Sequence, residues 1–328
     1  MKTSAPTAQT QEIDRLMAQN RRSPSAAAER QLLEARYAAV REATQMGSSS
    51  TTDLPVANHD TPLETDFGIP TAPAEGLTGS IVRQGIEQGG CLLVRNMIPM
   101  DRVVRLRDCI DSSLEQMAVH EKNSPGNEWY QPFTPEQGLV MAVQRKWAEE
   151  CGAMLGCDSP RTMFETFDAF DASGLRAVIE DYLGERAACS IKKTVLRKVP
   201  IDIPADWHQD GAFMGTGLDS LNVWTSLSQC GSTAPGMDML PVRLEDIVPT
   251  GTEGTHFDWS VSPAMLAQAA GGNPPVRPEF GPGDVVFFDE LFMHRTASEP
   301  HMTEERYAIE TWCFAPSRYP ETQIPLLV

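Results

Sequence analysis

From Ala187 onward the chain is cut into short segments rich in β-branched and aromatic residues and separated by Gly and Pro. This run restricts the fold more than any other feature, because such segments must pair into a two-layered sandwich or close into a barrel. The strand candidates are Ala188–Val199, Asp206–Phe213, Leu221–Ser228, Met237–Leu240, Asp284–Phe288, Leu291–Ala297 and Tyr307–Phe314. An insertion at about 242–275 interrupts them, with a short helix expected around Ser262–Ala270.

The preceding part is helical. Leu77–Gln88 reads as a helix, Gly90–Arg95 as a compact strand, and Pro99 opens a helix whose buried stripe is Val103, Val104, Leu106, Ile110, Leu114 and Met117. Residues 121–137, rich in Pro, Gly, Asn and aromatics, read as a lid or binding loop. Helical patterns follow at about 138–155, 161–169 and 174–183. At the front, residues 1–11 read as disordered. Ile13 to about Ala43 reads as one or two helices broken at Ser23-Pro24-Ser25, with Pro24 near the first turn of the second, and Met46–Asp53 as a linker. The expected division is an N-terminal extension and linker, 1–60, and a main domain, 61–328, with a helical front half at about 75–185 and a β-rich core at about 187–317. The front helices would pack on the main domain or mediate a homo-oligomer.

The chemistry concentrates in Trp207-His208-Gln209-Asp210. On an extended strand, residues i and i+2 point the same way, so His208 and Asp210 could offer an imidazole and a carboxylate to one metal ion, with Gln209 facing away. His294, 86 residues beyond His208, would complete a two-histidine, one-carboxylate facial triad. Such a triad leaves coordination positions open and suits non-haem Fe(II). The Gly281-Pro282-Gly283-Asp284 turn feeds an apolar strand just ahead of His294, and Arg306 follows. A guanidinium there would anchor the far carboxylate of a 2-oxoacid cosubstrate in bidentate fashion. The bland readings are a structural or zinc site, and for Arg306 a surface ion pair with Glu304, Glu305 or Glu310.

Taken in order, Trp207–Gly211, Val223–Leu227, Pro235–Pro241, Gly281–Asp284 and His294-Arg295-Thr296 ahead of Arg306 resemble the phytanoyl-CoA dioxygenase family, over roughly residues 75–317. The resemblance implies a mainly β fold with flanking helices, a double-stranded β-helix (jelly-roll, cupin-like). It implies Fe(II) on His208, Asp210 and His294, and 2-oxoglutarate as cosubstrate held by Arg306 with help from Thr296. Trp224 matches a position lining the pocket, with plain core the equal alternative. The expected reaction is hydroxylation of an unactivated C–H of a small metabolite or natural-product intermediate with O2, releasing succinate and CO2. The carboxylate at Asp210 occupies the position that halogenating relatives leave small. Ser232–Pro241 departs from the family pattern, so the substrate does not carry over by analogy.

Substrate contacts are sought in Trp129, Tyr130, Lys192, Phe213, Glu310 and Trp312, with Lys193, Arg197 and Trp259 nearby. Glu310 shares the face of Arg306, where a carboxylate needs a partner. A net charge of −18 argues against nucleic acid or an anionic membrane as partner. No apolar run is long enough for a membrane span or a signal peptide, so a cytoplasmic location is expected. Seven scattered cysteines suit reduced thiols. Two other readings compete: a cupin-like metalloenzyme that does not use 2-oxoglutarate, and a non-catalytic jelly-roll binding module.

Overall fold

The computed structural model describes residues 8–45, 56–57, 60–121, 124–135, 141–202 and 206–328. The Met46–Asp53 linker lies outside them. In chain order the elements are α1 (Ala8–Arg22), α2 (Ala26–Gln45), β1 (Thr65–Asp66), β2 (Ile69–Ala72), α3 (Gly79–Gly89), β3 (Cys91–Val94), α4 (Met100–Val119), α5 (Met141–Glu150), β4 (Ala153–Leu155), α6 (Pro160–Ala172), α7 (Leu175–Leu183) and β5 (Ala188–Val199). Then come α8 (Gly211–Met214), β6 (Ser220–Ser226), β7 (Gly236–Met239), α9 (Pro263–Ala270), β8 (Val285–Phe288), β9 (His294–Ala297), β10 (Arg306–Phe314) and β11 (Pro325–Leu327).

The large layer is a nine-stranded sheet centred on β8-β6-β10-β5. The small layer is β7 paired with β9, extended by the bridges His208↔His294 and Met239↔Val276. Followed along the chain, β5 lies in the large layer, 207–208 in the small, β6 in the large, β7 and Val276 in the small, β8 in the large, β9 in the small and β10 in the large. That alternation is a double-stranded β-helix, the fold the sequence led us to expect.

Register decides what each face of the large layer does. Ala308, Glu310, Trp312 and Phe314 of β10 stand opposite Ser226, Trp224, Asn222 and Ser220 of β6, so these side chains share one face. This face lines the barrel interior with Met237, Met239, Phe280, Val286 and Phe288. The opposite face, with Val223, Phe287 and Ile309, packs under Val82 and Ile86 of α3, Ile110 of α4, Phe167 of α6 and Ile179 of α7. Because both faces are covered, every residue of β6 and β8 is buried, and the strands read as apolar runs with little alternation.

Four expectations need correction. Asp206–Phe213 is no continuous strand: the ladder ends at His208 and the chain turns into α8. Val104 is exposed on α4, outside the buried stripe. Helix α1 begins at Ala8, inside the stretch read as disordered, because Ile13, Leu16 and Met17 bury against the main domain. Pro24 precedes the cap, and Ser25 Oγ accepts from the Ala28 N–H. The seven cysteines are free, all but Cys151 buried, and among the described residues no helix is long and apolar enough to cross a membrane.

Candidate metal centre

His208 and His294 are directly opposed on the small layer and exchange both backbone hydrogen bonds, each 3.0 Å. Their rings consequently lie on one side, with centroids 4.5 Å apart. Each ring is oriented by its own backbone: His208 Nδ1 donates to the Asp206 carbonyl at 2.9 Å, and His294 Nδ1 to the Phe292 carbonyl at 3.1 Å. Those bonds select the tautomer that leaves both Nε2 lone pairs free. Burial, then the neighbouring His294, pushes the His208 pKa down to about 3, so the ring stays neutral at neutral pH.

Asp210 arrives by a different route from the strand parity expected of it. It caps α8 with helical φ/ψ (−62°, −26°), and the turn swings its carboxylate back so that Oδ1 lies 3.8 Å from His208 Nε2. One ligand atom from each of His208, Asp210 and His294 falls within 4.8 Å of the others. Burial raises the Asp210 pKa, and its buried Oδ2 has no hydrogen-bond partner among the described residues. Two free imidazole lone pairs around an unpartnered buried carboxylate oxygen fit a divalent cation. Gln209, turned away, donates to the carbonyls of Leu291 (2.7 Å) and Asp246 (3.1 Å) and accepts from the Val248 N–H (2.7 Å), clamping the chain behind the ligands.

Arg306 lies deep in the barrel, 2% exposed. It donates to the Gly236 carbonyl at 2.6 Å, its guanidinium sits 5.6 Å from the Trp224 ring, and its buried Nε has no hydrogen-bond partner among the described residues. Burial lowers its pKa to about 10. Among the described residues no carboxylate pairs with it, so the surface-pair reading of Arg306 is overturned; Glu310 pairs with Arg197 at 2.8 Å instead. Thr296 shares the interior face of β9 with His294, opposite Met237. Trp224 lies with its ring 5.6 Å from the Arg306 guanidinium and packs on Phe280 at 4.9 Å, inside the interior cluster.

Around the His208 ring an aromatic wall forms, with Trp259 at 5.3 Å and Phe213 at 6.2 Å, and Phe257 stacked on Trp259 at 4.8 Å. Lys192 does not face it. Alternation along β5 sends Lys192 outward to the Thr322 carbonyl (2.6 Å) and Lys193 inward, its Nζ 4.1 Å from the Phe213 ring centre and 5.0 Å from that of Trp147. Trp129 and Tyr130 make their ring contacts with Arg161 and His120, on the helical side. Trp312 is a ring removed from His294, packed on Phe288, and its buried Nε1 has no hydrogen-bond partner among the described residues. Sequence reasoning missed Asn222, whose buried amide has neither N nor O partnered among the described residues. The available signal was a lone amide inside Leu221-Asn222-Val223-Trp224.

No family model matches the chain, and no curated protein matches it. Among solved structures it is similar to EctD from S. alaskensis in its apoform (TM-score 0.47, 18% identity, 83% of this chain and 85% of that one). It is also similar to the same protein with 2-oxoglutarate and 5-hydroxyectoine (TM-score 0.47, 16% identity, 83% and 86%). A further likeness is to AviO1 from Streptomyces viridochromogenes Tue57 (TM-score 0.47, 14% identity, 74% and 98%).

Proposed function

We propose that the chain is an Fe(II)- and 2-oxoglutarate-dependent dioxygenase of the phytanoyl-CoA dioxygenase kind, hydroxylating a C–H of a small metabolite. The observation that carries this is the juxtaposition of His208, Asp210 and His294 with a buried Arg306 that no carboxylate among the described residues pairs with. The triad would hold the metal, and Arg306, with Thr296 beside His294, the distal carboxylate of the cosubstrate; Trp224 packs against that guanidinium. When bound, iron(II) supplies O2 activation coupled to oxidative decarboxylation of 2-oxoglutarate to succinate and CO2. The protein's part is to position and to exclude water. Backbone carbonyls aim both imidazoles, Gln209 fixes the turn that delivers Asp210, and Phe213, Trp259 and Phe257 wall the substrate side. The Lys193 ammonium stands against the Phe213 and Trp147 rings with Asp210 and Glu310 as its nearby carboxylates, and would meet an anionic group of the substrate there.

Anaerobic titration tests this directly. Fe(II) should bind the wild type, and 2-oxoglutarate should then produce a charge-transfer absorption. His208→Ala should abolish metal binding and Fe(II)-dependent succinate formation. Arg306→Ala should keep the metal but weaken 2-oxoglutarate by about thirtyfold or more. Succinate formation surviving in His208→Ala sinks the site; turnover indifferent to Arg306 points to a metalloenzyme without 2-oxoglutarate.

A further inference from the structure

The 242–275 insertion brings two aromatic rings to the metal centre. Trp259 meets the His208 ring in a T-shaped contact at 5.3 Å and the Phe213 ring in another at 5.7 Å. Phe257 stacks on Trp259, the two planes 5° apart. None of the three is core: Phe257 is 51% exposed, Phe213 is 40% exposed, and Trp259 is half-buried between them. Large apolar rings gathered in one exposed patch mark a contact site.

The rings are also held in place. The Asp206 carboxylate accepts from the His256 N–H and from His256 Nδ1, each at 2.9 Å, while the Asp206 carbonyl orients His208. Beyond Trp259, the Val261 N–H donates to the Trp207 carbonyl at 2.8 Å, and the Gly251 N–H to the Ser260 carbonyl at 3.0 Å. The segment carrying Phe257 and Trp259 is thus tied on both sides to the two residues that precede His208. A ligand that meets rings already ordered loses less entropy on binding than one that must order them.

The geometry points to a substrate that carries a planar apolar ring, laid against the wall of Phe213, Trp259 and Phe257 beside His208. It rests on the iron reading of His208, Asp210 and His294, and names the class of molecule which that centre serves. A flat ring covers exposed aromatic faces by stacking or edge-to-face contact, and it brings few rotatable bonds to freeze. An acyclic chain of equal size gains less from flat walls and has more freedom to lose.

The test loads the full-length protein anaerobically with Fe(II) and 2-oxoglutarate, then titrates it with 3-phenylpropanoate and with nonanoate. Both probes are carboxylates with the same number of carbons, so the ring is the variable. Binding is read from tryptophan fluorescence and from the shift of the charge-transfer band. Saturable binding of 3-phenylpropanoate is expected, about tenfold tighter than that of nonanoate. Phe257→Ala should weaken it about fivefold or more, and Phe257→Tyr, which keeps the ring, less than about twofold. Val104→Ala, at an exposed position on α4, should leave it unchanged. A protein that forms no charge-transfer band fails the iron reading, and the ring assignment falls with it. A normal band with no preference for the ring, or undiminished binding in Phe257→Ala, overturns the ring assignment alone.

Discussion

Lys192 and Lys193 are chemically identical neighbours on β5, and only the alternation of the strand separates their roles. Lys192 ends on the Thr322 carbonyl at the surface, whereas Lys193 is half-buried between Phe213 and Trp147, near Asp210. Burial lowers the Lys193 pKa against the opposing pull of Asp210 and Glu310. In a metabolite screen for compounds that stimulate 2-oxoglutarate turnover, the active compounds should carry an anionic group. Lys193→Met should reduce kcat/KM for them by about tenfold to a hundredfold, while Lys192→Met stays within about twofold. Neutral or cationic hits would refute this. Which of the two lysines faces inward was not legible, because parity along β5 depends on which face the barrel encloses, and that is settled by the pairing with β10.

At the scale of elements, the turn before β8 shows how local signals become architecture. Gly281-Pro282-Gly283-Asp284 was legible as a tight turn, and it is one. What could not be read is its anchorage to the end of β3: the Ile98 N–H donates to the Gly283 carbonyl at 3.0 Å, and Asp284 accepts from Arg95 and the Asn96 N–H. Gly283 has φ +94°, and a Cβ there would stand 2.4 Å from the Ile98 carbonyl oxygen. Gly283→Ala should destabilise by about 2–4 kcal/mol, measured by chemical denaturation, from strain and displacement together. A change within the error of that measurement would mean the turn rearranges at no cost. The strands themselves were legible at β5 and β10 because long β-branched runs have few other fates. Asp206–Phe213 misled because Trp207 and Phe213 favour strands, while the turn at Asp210 is imposed by tertiary bonds from Gln209 and by the Gly211 N–H to the Glu290 carbonyl.

The whole molecule depends on its first two helices more than a tail would suggest. They bury Ile13, Leu16, Met17, Leu32 and Val40 against Phe164, Ala188 and Leu327. Buried Glu29 of α2 pairs with Arg161 and accepts from Asn20 at 3.1 Å. Helical periodicity made the helices readable, but not their partners, because Arg161 and Leu327 lie more than a hundred residues away. Removing residues 1–45 should destabilise the remainder by about 3 kcal/mol or more, since Arg161 is left partly buried beside newly exposed apolar surface. Denaturant unfolding checks this, and an unaltered midpoint would show the helices to be an appendage.

The mutual backbone hydrogen bonds of His208 and His294 have a consequence for motion as well as for chemistry. An ion gripping both rings also staples two segments 86 residues apart, closing a long loop that the small layer otherwise holds with few bonds. Metal loading should therefore slow hydrogen exchange at these two amides by orders of magnitude, while β6 and β10, buried on both faces, change little. Equal protection with and without metal would contradict this. In a cell, the supply of metal would then set how long the open form of the barrel persists, and so its exposure to proteases.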